Sequence, residues 1–245
     1  MMDPFLTLVV GLHVATGAVG LLAFWVPVFA RKGSPLHVRA GRVYEYCAYV
    51  VAISSITVSV GRMVTHQLSG ATFAENPDLY TFPIFLSYLG LITFATVRHG
   101  VRVTQVRSRP EDLRTRFHVA LSWSPIVGAV GLVVLALAAW SGASVLLIAF
   151  SPIGLALGWV VRREVRDPLA KLPRRGWFFG HLTAMLLGGI AFHSAFIVQQ
   201  SLAFELTGLY AIWPWVTPSL VGLPAVVLWN RYYRRRFAPV VSPHG

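Results

Sequence analysis

Long apolar runs alternate with short clusters of arginine and lysine along the chain. A helix needs about 20 predominantly apolar residues to cross the hydrocarbon core of a bilayer. The pattern predicts seven such segments: Phe5–Phe29, Arg42–Met63, Tyr80–Arg98, His118–Trp140, Ser144–Val161, Gly176–Gln199 and Leu206–Trp229. The seventh carries Pro214, Pro218 and Pro224, so a kink or a later start is expected there. The fold class read from this pattern is an all-α integral membrane protein. It is a bundle of about seven transmembrane helices, forming one polytopic domain over residues 1–245.

Composition sharpens the picture. Of 245 residues 56% are hydrophobic and 12% charged, and the mean hydropathy is +0.64. A soluble domain is about 25% charged, so an ordinary globular enzyme and a disordered tail are excluded. The net charge of +12 could suggest nucleic acid, but its distribution points to the membrane, and no nucleic-acid partner is expected. Of the 21 lysines and arginines, only Arg62 falls outside the junctions 1–2, 3–4 and 5–6, their helix edges and the C-terminal tail. The positive-inside rule then predicts an outer N-terminus and a cytoplasmic C-terminus. No basic residue precedes the first apolar run, which is therefore expected to be a retained span. The single cysteine, Cys47, excludes an internal disulfide.

The junctions carry local signals. Ser34-Pro35 and Asp167-Pro168 each set a capping oxygen before a proline. Pro110-Glu111-Asp112 sets acidic groups in a first turn. Short interfacial helices that dock on anionic lipid headgroups at the cytoplasmic face are expected from these. Between spans 2 and 3, Arg62, His66, Glu75 and Asp78 suggest a charge pair or, as the alternative, a substrate lid.

Ionisable residues inside a membrane are costly and mark functional sites by default. Carboxylates are nearly absent from the spans, with Glu45 near the inner end of span 2 and Glu205 outside span 6. That argues against a carboxylate proton relay. Histidines are the conspicuous group. His13 and His193 lie at a similar expected depth, about 12 Å and about 9 Å from the outer ends of antiparallel spans. His99, His118 and His181 form an inner set, with His37 in the basic junction. Neutral imidazoles ligate b-type haem without burying charge. The expectation is an outer haem or other polar ligand shared by His13 and His193. An inner one would be held by His181 with His118 or His99. Arg39 and Arg42 would meet anionic propionates. His181 and His193 are 12 residues apart, a rotation of about 120°, so they would serve different faces.

The runs HVATG (13–17), RKGSPLHVRAGRVYEY (31–46) and HLTAMLLGGIAFHSAF (181–196) resemble an uncharacterised family of bacterial multi-pass membrane proteins. That family is similar in a His-x-x-x-Gly first helix, a Lys-Gly…His…Gly-Arg-x-Tyr junction and a later His-x-x-x-Met helix. Here these would be His13 and Gly17, then Lys32, Gly33, His37, Gly41, Arg42 and Tyr44, then His181 and Met185. The resemblance implies a bacterial cytoplasmic-membrane location and an emphasis on histidine, and names no reaction.

Three functions follow as expectations. The first is a b-type haem protein that moves electrons, with a quinone as partner. The alternatives are an accessory subunit of a larger membrane complex and a small-molecule transporter with proline hinges.

Overall fold

A computed structural model describes residues 3–171, 175–201, 210 and 213–237. The described residues form helices α1 (Pro4–Phe29), α2 (Pro35–Leu68), α3 (Asp78–Gln105), α4 (Arg116–Ala138), α5 (Ser144–Arg166), α6 (Pro168–Lys171), α7 (Gly176–Ser201) and α8 (Trp213–Phe237). A 3-10 turn, Pro110–Leu113, precedes α4. The turn and α6 are two of the short helices expected in the basic junctions; at Ser34-Pro35 the chain instead opens the 34-residue α2. Ser34 and Asp167 cap as their sequence suggests, accepting from the His37 and Ala170 backbone N–H groups at 3.3 Å each.

Among the described residues six helices, α1 to α5 and α7, are long and apolar enough to cross a membrane. The chain is an integral membrane protein. α8 is not among the six. Its prolines, Asn230 and terminal arginines lower its hydropathy. Its described residues run from Trp213; residues 206–209, 211 and 212 of the seventh span read from the sequence lie outside the described residues.

Helix α3 is the axis of the bundle. Helices α2 and α7 pack on one side of it, and α4 and α5 on the other. Its 18-residue apolar window is 61% buried, against 11% for α1. α1 turns Leu8, Leu12, Leu22 and Phe29 outward and buries Phe24. Lipid tails are as apolar as those leucines, so exposure there carries no penalty and close packing sets the arrangement. One core cluster joins Phe24, Tyr44, Val97, Leu182, Phe192 and Val226 from five helices. A second gathers Phe85, Tyr88, Ile92, Leu132 and Leu147 among α3, α4 and α5.

Proline and glycine make that second cluster possible. Pro125 inside α4 has no N–H, which frees the Leu121 carbonyl. The Ser124 hydroxyl donates to it at 2.9 Å. The Tyr88 hydroxyl donates to the Pro125 carbonyl at 3.0 Å. A Cβ at Gly154 would fall 1.5 Å from that hydroxyl oxygen, so only glycine fits.

One end of the bundle is basic. There Arg162 stands 4.5 Å over the Trp123 ring, Arg175 4.7 Å over Phe237 and Arg234 4.5 Å over Phe179. Cation–π contacts of this kind hold guanidinium groups at an interface. These contacts bring the end of α8 to the same end as the start of α7.

Candidate functional site

The junction between α1 and α2 builds the first element of the site. α1 ends with carbonyl groups that have no helical partner. The Lys32 ammonium donates to two of them, Pro27 O at 2.7 Å and Val28 O at 2.8 Å. Burial lowers the pKa of that ammonium. Gly33 has a φ of 79°, a conformation that L side chains rarely adopt, and so lets the chain reverse. Ser34 and Pro35 then start α2. This places His37 in the first turn of α2 beside the end of α1, and its Nδ1 donates to Pro27 O at 3.1 Å.

The second element comes from α7. His181 Nδ1 donates to the Gly100 carbonyl of α3 at 2.9 Å. A Cβ at Gly100 would lie 2.6 Å from Ala184 Cβ, so the glycine permits the close approach of α3 and α7. The His37 and His181 rings lie 6.4 Å apart, centroid to centroid, at 64°. A carbonyl only accepts, so Nδ1 carries the proton in both rings. Each Nε2 is left with a lone pair, and no described residue bonds to either. A ring nitrogen tied to a carbonyl with the other free is the arrangement typical of metal-ligating histidine.

The structure does not bring His13 and His193 together. His13 Nδ1 donates to Ser54 Oγ at 2.9 Å, and Ser54 passes its own proton to Val50 O at 2.6 Å. His193 meets Trp25, whose indole N–H donates to Nε2 at 3.2 Å, while its Nδ1 donates to Gly189 O at 2.7 Å. Both nitrogens of His193 are thus committed. Trp25 lies twelve residues beyond His13 on α1, about 18 Å along the axis. The matched depth expected from the sequence fails because α7 is displaced along α1: Gly189 faces Phe24, and Phe192 faces Gly20. Gly188 and Gly189 admit the protein's own Tyr44 and Phe24 rings rather than a foreign one.

His118 and His99 are buried at the basic end, at 3% and 2% exposure. His118 Nδ1 pairs with the Thr115 hydroxyl at 3.0 Å, with Arg98, His99 and Arg102 as electrostatic neighbours. His99 Nε2 donates to Glu164 Oε2 at 2.7 Å. Among the described residues, neither His99 Nδ1 nor His118 Nε2 has a partner. His181 reaches the backbone of α3 rather than either of these rings.

Arg39 and Arg42 are exposed on α2. At 100° per residue they stand about 200° and about 140° around the helix from His37, so the helix carries them away from its face. At the opposite end of the bundle, Glu75 accepts from the Thr72 hydroxyl at 2.9 Å and Asp78 from the Gly142 N–H at 2.7 Å.

Sequence reading passed over Glu164, because the apolar run was ended at Val161 while α5 continues to Arg166. The signal available was Glu164 one turn after Val160, still in helical register with the apolar face. His37 is not among the ligand pairs expected from the sequence, since nothing local shows that α7 crosses beside the first turn of α2.

No family model matches the chain, and neither does any curated protein or solved structure.

Proposed function

We propose that the protein is a membrane-embedded electron carrier that binds b-type haem through His37 and His181 at the basic end of the bundle. The observation that carries this reading is the pair of imidazoles 6.4 Å apart, each with Nδ1 held by a carbonyl and Nε2 unused. Two nitrogen–metal bonds of about 2.0 Å plus the half-widths of two rings give a centroid separation of about 6 Å. The donor set favours haem over a bare ion. A bare ion such as zinc wants four ligands, and among the described residues no group of three His, Cys, Asp or Glu side chains is placed to hold one. Haem brings its own equatorial nitrogens and needs only the axial two. When bound, it supplies one-electron chemistry. The chain's residues fix the tautomer and aim of each imidazole, through Pro27 O and Gly100 O.

In this reading the basic end faces the cytoplasm of a bacterial cell, with seven spanning helices and the N-terminus outside. Arg39 and Arg42, turned away from His37, serve anionic lipid headgroups rather than propionates.

The test is an absorption spectrum of protein purified after expression with a haem precursor. A Soret band is expected, retained in His13→Ala and His193→Ala and lost in His37→Ala and His181→Ala. A protein without the band, or a band that survives loss of both His37 and His181, overturns the reading.

A further inference from the structure

Helices α5 and α7 both pack on α3, and α8 packs against α7. The gap between them is a cavity of about 700 Å³, within the range of small-ligand sites. Ile153 and Leu157 of α5, Leu187 of α7 and Leu223 of α8 make its walls apolar. At the basic end Arg175 and Arg234 form the lip.

Two polar groups line it, Glu164 from α5 and Asn230 from α8, and both have an acceptor to spare. Glu164 on α5 uses Oε2 for His99, and no described residue donates to its Oε1. Asn230 on α8 gives both of its amide hydrogen bonds to Thr183 Oγ1, at 3.1 Å, and Val226 O, at 2.9 Å. No described residue donates to its Oδ1. Both residues are half-buried, and each spare acceptor can take a hydrogen bond, so a guest that brings donors gains two bonds there. A phosphate or carboxylate head would suit the cations at the lip, Lys171, Arg175 and Arg234, but brings no donor to either acceptor. A ring with two hydroxyls brings a donor for each acceptor, and an apolar tail suits the leucine and isoleucine lining.

We propose that this cavity binds a lipid-soluble quinol, a dihydroxy aromatic ring with an apolar tail, its hydroxyls donating to Glu164 Oε1 and Asn230 Oδ1. The site deepens the proposed function by naming the class of electron donor. It rests on that reading only for the use made of the ligand. The two candidate sites adjoin: His99 pairs with Glu164, and the next residue, Gly100, holds His181.

Calorimetric titration of the purified chain with a decyl-substituted benzoquinol tests the binding without reference to any haem band, so either proposal can fail alone. One equivalent should bind. The bis-O-methyl ether of the same compound, which has no donors, should bind at least about tenfold more weakly. Glu164→Gln should weaken the quinol by about fivefold, because a charge-assisted bond becomes a neutral one. Leu187→Trp should abolish binding by filling the cavity. An ether that binds as tightly as the quinol overturns the proposal, with no variant required to fold. So does Leu187→Trp binding like the wild type, or decyl phosphate displacing the quinol at lower concentration.

Discussion

His181 and His37, 144 residues apart in the chain, lie with ring centroids 6.4 Å from one another. Each is held by a carbonyl of a third segment, Gly100 O of α3 and Pro27 O of α1. Four helices therefore fix one pair of rings. A ligand pair held this way should tolerate removal of one ring if the ring alone is resupplied. His181→Gly is expected to lose the Soret band and to regain it when free imidazole is added, while His193→Gly shows no imidazole effect. The check is a spectral titration of both variants. A His181→Gly protein whose spectrum already equals the wild type would show that the ring ligates nothing.

The pair His99 and Glu164 should show strong energetic coupling. Removing one partner leaves the other buried without compensation, a loss of about 3–5 kcal/mol for buried pairs. Replacing both with leucine removes the uncompensated charge. Thermal denaturation in detergent of His99→Leu, Glu164→Leu and the double variant should show the double variant at least as stable as the worse single one, a non-additive cycle. Additive losses would mean that the 2.7 Å contact contributes nothing beyond packing.

Gly154→Ala should destabilise the bundle by about 1–3 kcal/mol, the usual cost of overpacking. The clash is with the Tyr88 hydroxyl, 1.5 Å from the new Cβ. Tyr88→Phe removes that oxygen and should recover part of the loss in the double variant, although alone it forfeits a bond to Pro125 O worth about 1 kcal/mol. Melting temperatures of the three variants decide this; equal losses with and without Tyr88→Phe would place the strain elsewhere.

Threading can be read by labelling single cysteines with an impermeant maleimide. Cys47 is 8% exposed and gives little background. Cysteines at Arg31 and Glu111, both exposed, and one appended at the C-terminus are expected to react only from the cytoplasmic side. One at Ser69 should react only from the outer side. A C-terminal cysteine that reacts from outside would mean that α8 does not span, and would remove the seventh crossing from the fold.

The sequence by itself determined the membrane character, the positions of six spanning helices and the caps of α2 and α6. These are properties of consecutive residues: hydropathy over a helical length, a Ser-Pro or Asp-Pro step, an arginine run. It also marked histidine as the group to watch, because an imidazole among apolar neighbours needs a partner wherever it lands. Which partner it takes was decided by tertiary structure. His13 and His193 stand at matched distances from the outer ends of their helices as read from the sequence, yet α7 slides along α1 until His193 meets Trp25. That displacement is set by Phe24 against Gly189 and Phe192 against Gly20, contacts between residues more than 160 positions apart. His37 comes to His181, and Glu164 to His99, for the same reason. Helix register depends on how side-chain shapes interlock across the bundle, and no periodicity within a single helix encodes it.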